Sequence, residues 1–266
     1  MALTFTILGC GSSGGVPRVG QGWGACDPHE PRNRRRRCSM LVERTDGRSP
    51  DPTRALIDTS PDLREQLLDA GVDRLDGVIF THEHADHTHG IDDVRPLTIK
   101  HRRRIDVHVD AETSVMLHQR FGYCFETPPG SEYPPILNEH RFAHGETILV
   151  NGPGGVIEAT AFRQYHGSIN SYGFRMGGLA YSSDLHDLPN ESLPYLENLD
   201  VWIIDALRPT PHPTHFSLSE ALEWVGRMKP RHAVLTNMHV DLDYATLKRE
   251  LPEGIEPAYD GMKITL

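Results

Sequence analysis

The sequence predicts an α/β protein, of the α+β kind, in which sheets pack inside an outer layer of helices. Short β-branched or apolar runs recur along the chain and read as strands, and between some of them lie amphipathic stretches whose two ends both carry helix boundary signals. The 266 residues, 38% of them hydrophobic and 24% charged, have ordinary globular composition, and we read residues 1–266 as a single domain.

In chain order, LTFTILGC is the first strand and runs into the glycine-rich turn GSSGG. Residues 12–37 form a long irregular stretch, of the kind that tends to be functional in compact domains. CSMLVE and RALIDT are strands. PDLREQLLDAG is a helix with Ser60 as its N-cap, Pro61 at its first position and Gly71 at its end. DGVIFT and IDVHVD are strands, AETSVMLHQRFGYCF is a weaker helix, and 126–139 is a Pro-rich loop or lid. VIEATAF, SYGFRM, GLAYSSD and DVWIIDA add further strands. SLSEALEWVGRMKP opens with Ser217 and Glu220 in capping-box spacing and stops between Gly226 and Pro230. HAVLTN, a weaker helix YATLKREL and KITL complete the chain.

Charge and composition exclude several classes of function. Lys+Arg 27 against Asp+Glu 37 gives a formal net charge of −10, which disfavours broad attraction to nucleic acid or to an anionic membrane. No run approaches the roughly 18–20 apolar residues of a membrane helix. The N-terminus lacks the basic flank of a signal peptide. Cys10, Cys26, Cys38 and Cys124 are widely spaced without C-x-x-C, which suits a reducing compartment, so a cytoplasmic protein is expected. We expect no membrane partner and no stable nucleic-acid partner; a homodimer is compatible with the sequence.

Chemistry concentrates in THEHADHTHG, residues 81–90, directly after the apolar run GVIF. His82 and His84 are two apart, so in extended chain they point the same way. With Asp86 and His87 they offer three imidazoles and a carboxylate, the ligand types of zinc, manganese or iron. Gathering so many imidazoles without a metal has no evident compensation. One metal rarely takes all four from so short a stretch, whereas two adjacent metals can share them. Glu83 and His89 fall outside the pattern and are not expected to be ligands.

This His-x-His-x-Asp-His loop followed by Gly90 resembles the signature of the metallo-β-lactamase superfamily, and the likeness extends over nearly the whole chain. It implies a four-layer αββα sandwich, two mixed sheets face to face with helices outside. It also implies a ligand set. His82, His84 and His166 would hold one divalent ion, Asp86, His87 and His239 the other, and Asp184 would bridge them. His239 departs from the pattern, because in many relatives the last ligand directly follows the Leu-Thr pair, a place held here by Asn237. Asp58, in LIDTSPDL, would orient a ligand imidazole through its free N–H.

Two such ions, of zinc or manganese with iron also acceptable, ionise a shared water and stabilise attacking and leaving oxygens. That chemistry suits phosphodiesters, and also thioesters or lactams. LGCGSSGGVPR is similar to the branch containing ribonuclease Z and the phosphonate-operon (PhnP-like) cyclic phosphodiesterases, and its small residues, Ser12 and Ser13 among them, would let backbone N–H groups approach an anion. In PRNRRRRCS, Arg32, Arg34, Arg35, Arg36 and Arg37 form a solvated run from which one or two side chains, Arg35 foremost, would reach the cleft and grip phosphate. His215, two residues before Ser217, would bind a phosphate oxygen or protonate the leaving alkoxide, in preference to His212. Asp86 is the expected partner in catalysis. Asp205, ending VWIIDA, either orients that histidine or caps its strand. The cysteine-rich structural zinc site of some relatives is not matched by Cys26 and Cys38 alone.

The expected activity is therefore a binuclear metal-dependent phosphodiesterase acting on a small cyclic phosphate or nucleotide-like ester. The alternatives are an RNA-processing nuclease, a thioester or lactam hydrolase, and a non-catalytic nucleotide sensor.

Overall fold

The computed structural model describes residues 2–266. Their contacts divide into two compact units, each assembled from segments distant in sequence, so no linker marks a boundary.

The first unit comprises the chain up to Leu8, Ser39–Glu158 and Lys263–Leu266. Its sheet uses β1 (Ala2–Gly9), β2 (Ser39–Thr45), β3 (Thr53–Ile57), β4 (Gly77–Ile79), β5 (Ile105–Val109), β6 (Leu137–Arg141) and β14 (Lys263–Thr265), in the order β14-β1-β2-β3-β4-β5-β6. β2 and β3 pair antiparallel, with Met40 opposite Ile57, whereas β3 to β6 pair in parallel. Parallel neighbours need crossovers. Here α1 (Leu63–Asp69), the short α2 (Ala85–Thr88) with α3 (Arg95–His101), and α4 (Ala111–Phe121) provide them. Leu56, Val78, Phe80, Val107 and Leu117 lie in one buried apolar cluster, each side chain contributing about 1.5–3 kcal/mol on removal from water.

The second unit comprises Gly9–Cys38 and Ala159–Met262. It carries the run β13-β12-β11-β10-β9-β8 of the other seven-stranded sheet: β8 (Ile157–His166), β9 (Ile169–Met176), β10 (Leu179–Ser182), β11 (Val201–Asp205), β12 (His232–Thr236) and β13 (Ile255–Pro257). β8, β9 and β10 are antiparallel, whereas β10 to β13 are parallel. α5 (Leu218–Met228) and α6 (Tyr244–Glu250) make the β11–β12 and β12–β13 crossovers. Both sheets are thus mixed, as the resemblance implies.

Side-chain caps account for the starts of α4, α5 and α6. α5 begins at the predicted capping box: Ser217 Oγ accepts the Glu220 N–H at 3.3 Å and Glu220 Oε2 accepts the Ser217 N–H at 2.8 Å. Asp110 caps α4 through the N–H groups of Glu112 and Thr113, and Asp243 caps α6 through that of Thr246. α1 starts later than predicted. Ser60 Oγ accepts the Asp62 N–H and Ser60 O the Leu63 N–H, so the serine closes a turn and Asp62 takes the cap position. Residues 137–139, read as the end of the loop 126–139, begin β6, and β7 (Thr147–Val150) is a short strand that the sequence did not signal. Residues 12–37 are irregular as expected, but ordered by bridges such as Val16 to Arg35.

Candidate metal centre

In the first unit the chemistry sits at the carboxyl ends of parallel strands, where open α/β sheets place their sites. Asp58 directly follows β3, and its φ of 60° turns the chain sharply, while β4 leads through Phe80 into Thr81 and His82. Gly90, closing the histidine loop, is required by space: a Cβ there would lie 2.1 Å from the Ser60 carbonyl oxygen. The loop is drawn down by Thr59 N–H to His87 O at 2.8 Å and Gly90 N–H to Thr59 O at 2.9 Å.

This packing fixes the imidazoles. Asp58 is fully buried; its Oδ1 accepts the Thr81 N–H at 2.8 Å, and its Oδ2 accepts both Thr81 Oγ1–H and His87 Nδ1–H at 2.7 Å. Having given its proton to Asp58, Thr81 Oγ1 accepts from His82 Nδ1–H at 2.9 Å. Both histidines thereby keep the Nε2 lone pair that a metal needs. The rings of His82 and His84 lie 4.6 Å apart, those of His82 and His87 4.3 Å, and Asp86 Oδ2 is 3.5 Å from His87 Nε2. Burial raises the Asp58 carboxyl, with His87 and the two Thr81 hydrogen bonds opposing. Glu83 offers its carbonyl to Arg120, and His89 stacks edge-on against Phe121, so neither joins the donors.

The second unit has its own donor group. His166 ends β8, Asp184 follows β10, and His215 precedes α5, and each presents a ligand atom within 4.8 Å of the others. His166 Nδ1–H donates to the Thr214 carbonyl at 2.7 Å, again leaving Nε2 with its lone pair, 3.8 Å from Asp184 Oδ2. His215 Nδ1–H donates to Asp205 Oδ2 at 2.8 Å. Asp205, left open by the sequence between orienting and capping, is fully buried and holds this histidine. Its Oδ1 accepts from Asn237 Nδ2 at 3.2 Å, so the asparagine that follows the Leu-Thr pair serves Asp205. Burial raises the Asp205 carboxyl, and the His215 ring opposes that shift.

Other assignments fall differently. His239 is not part of this donor triad: its Nδ1 pairs with Asp241 Oδ2 at 2.7 Å and its Nε2 with Arg18 Nη1. Arg35, expected to reach substrate, is 1% exposed. Its guanidinium donates to Asn33 Oδ1 at 3.3 Å and the His239 carbonyl at 3.4 Å, because the bridge to Val16 turns the side chain inward and leaves Arg34 outside. Ser12 is buried and Ser13 exposed; among the described residues Ser12 Oγ has no hydrogen-bond partner. Thr81 and Thr214 were missed, and Asn237 was noticed only as a departure from the ligand pattern; adjacency to a ligand histidine was the available signal for Thr81.

Chemically, the two donor sets suit a divalent cation: His82, His87 and His166 are buried, with hydrogen bonds at Nδ1 that leave Nε2 a lone pair, and they lie alongside carboxylates. Among the described residues no helix is long and apolar enough to cross a membrane. The β-lactamase superfamily domain model matches residues 53–238, which contain both donor sets. The chain belongs to the metallo-β-lactamase superfamily. A solved structure of a new diphosphatase from the PhnP family is 35% identical to this superfamily member, covers 100% of this chain and 98% of the other, and superposes with a TM-score of 0.88. Zn(2+)-bound PqqB from Methylobacterium extorquens shares the metallo-β-lactamase fold at 16% identity, TM-score 0.70, over 99% of this chain and all of that one. An octanoyltransferase of Porphyromonas gingivalis is 32% identical over 264 residues, 97% of this chain but 50% of that protein, so the chain spans about half of that relative.

Proposed function

We propose that this superfamily member is a phosphodiesterase dependent on two divalent ions, acting on a small cyclic phosphate or nucleotide-like phosphodiester. The full-length likeness, at 35% identity, to a PhnP-family diphosphatase carries this reading. As the resemblance to the superfamily implies, His82, His84 and His166 would hold one ion and Asp86, His87 and His239 the other, with Asp184 shared. To serve as a ligand, His239 would have to give up the pairing of its Nε2 with Arg18. When bound, the ions lower the pKa of a water and stabilise the attacking and leaving oxygens.

The chain's own residues do the rest. Asp58, Thr81 and Thr214 hold the tautomers of His87, His82 and His166. Asp205 stabilises His215 in its charged form, so that the imidazolium can hand a proton from Nε2 to the leaving alkoxide. The Asp86 carboxylate, beside His87, takes up the proton that the nucleophilic water loses.

A second reading, acyl transfer or thioester hydrolysis, draws on the octanoyltransferase relative, of which this chain matches half. A panel with manganese and with zinc separates them: bis(p-nitrophenyl) phosphate, a ribosyl cyclic phosphate, a tRNA precursor and an acyl thioester. Turnover of the small phosphodiesters alone is expected. Turnover of the thioester alone refutes the proposal, cleavage of the precursor alone makes the chain a nuclease, and nucleotide binding without any turnover makes it a sensor.

A further inference from the structure

The segment PHPTH, residues 211–215, holds two histidines, of which the reaction above uses only His215. His212 sits between two prolines, whose rings fix φ and restrict the residue before each. The loop is stapled further by Arg208, which donates to the carbonyls of Thr210 at 3.2 Å and Pro211 at 2.9 Å. Gly167 lets it come close to β8, since a Cβ there would meet Thr214 Cγ2 at 2.6 Å. A solvated surface histidine has no need of such a frame.

Thr214 sets two imidazoles in opposite senses. Its carbonyl takes the Nδ1 proton of His166, leaving a lone pair at Nε2. Its N–H donates to His212 Nδ1 at 3.3 Å, with its hydroxyl 3.2 Å from the same nitrogen. His212 Nδ1 is therefore an acceptor, and the proton of the neutral ring must sit on Nε2. That nitrogen has no hydrogen-bond partner among the described residues, and the ring is half-buried, 5.2 Å from that of His215, itself 4.6 Å from that of His166. The loop thus presents a neutral N–H donor, in a fixed direction, beside the proton donor of the reaction.

We propose that His212 is a substrate-binding residue, its Nε2–H donating to a non-bridging oxygen of the phosphate. This rests on the phosphodiesterase reading. A hydrogen bond to a charged oxygen changes binding by about tenfold or more.

The test uses zinc-loaded protein, with metal content matched between wild type and variants. Long-range 1H–15N spectra are expected to show His212 as the Nε2–H tautomer and His166 as the Nδ1–H tautomer. With bis(p-nitrophenyl) phosphate, His212→Ala raises KM about tenfold or more, leaves kcat within a few-fold, and weakens inhibition by orthophosphate in parallel; His212→Gln, which restores an N–H at that reach, recovers much of both. An Nδ1–H tautomer for His212, unchanged KM and orthophosphate inhibition in the alanine variant, or a glutamine variant as impaired as alanine overturns the inference. If the wild-type chain hydrolyses no phosphodiester, the functional reading fails on its own, and His212 is judged by calorimetric orthophosphate binding: weakened by the alanine change, it stands; unchanged, it falls.

Discussion

His215 donates its Nδ1–H to Asp205 Oδ2 at 2.8 Å, and the carboxylate is fully buried. An acceptor-only group at that nitrogen favours the imidazolium and fixes the ring's direction. Asparagine at 205 keeps the shape but offers a weaker, neutral acceptor or, flipped, a second donor. If His215 is the proton donor and not a metal ligand, Asp205→Asn and His215→Gln each lower kcat by about 10²–10⁴-fold at unchanged metal content. The double variant is little worse than either single one, because the two act as a unit. Steady-state kinetics with elemental analysis checks this; loss of metal from His215→Gln would make it a ligand instead.

Asp58 connects backbone geometry to metal affinity. At φ 60° it occupies the left-handed region, which asparagine tolerates, so Asp58→Asn keeps the turn while removing a carboxylate that accepts from Thr81 and His87. The His87 tautomer, and through Thr81 that of His82, is then no longer held. Metal affinity is expected to fall about 10–100-fold with little change in the fold. Competition with a chelator measures it, and equal affinity would free Asp58 of this role.

Much of this was legible because it rests on local rules. Capping-box spacing located α5, and the histidine spacing at a strand end located THEHADHTHG without any knowledge of the sheet. What was not legible depends on partners far away in sequence. Arg35 looks like its four neighbouring arginines, and only the bridge to Val16 decides that it is the one turned inward. Ser60 has the chemistry of a cap, but the left-handed turn at Asp58 and the hydrogen bonds to the histidine loop spend it on a turn, so α1 starts later. β6, with the polar sequence LNEHR at a sheet edge, lacks the alternation of a half-buried strand and is specified by pairing with β5. Asp205 could be placed at a strand end from sequence alone, but its choice between capping and orienting needed the His215 ring beside it.

Asp243 joins the irregular N-terminal loop to α6. Its carboxylate accepts the N–H groups of Asp27 and Thr246 and the side-chain amide of Asn33. Burial alone would raise its pKa; these donors outweigh it and hold the group at about 2, below the ordinary 3.8. The unfolded chain therefore binds this proton first as pH falls, so the stabilisation is complete above about pH 4 and drains away toward pH 2. Asp243→Ala should cost about 1–2 kcal/mol at neutral pH, with loss of this acid-side slope, whereas Asp243→Asn retains part of the cap. Denaturant unfolding at neutral and acid pH checks both, and an alanine variant as stable as wild type would remove the cap from the account.

His108 predicts a second and separate pH dependence, remote in sequence from the proposed ligands. On β5 it pairs in register with His140 of β6, the rings 5.1 Å apart and nearly parallel. Burial, then the His140 charge, lowers its pKa to about 4 from the ordinary 6.5, against a smaller opposing pull from Asp106. A base with a depressed folded pKa favours the folded state fully above the unfolded value, and that advantage is lost as pH falls from 6.5 to about 4, where the unfolded chain takes up the proton first. Discounted for solvent screening of a half-buried ring, the loss is about 1–2 kcal/mol. His108→Phe preserves the stacked pair and cannot titrate, so its stability should change less than that of wild type over this window. Denaturant midpoints at pH 4, 5 and 6.5 decide it: parallel curves for the two proteins would show that His108 does not carry the effect, and that its neutral form is not what the sheet selects.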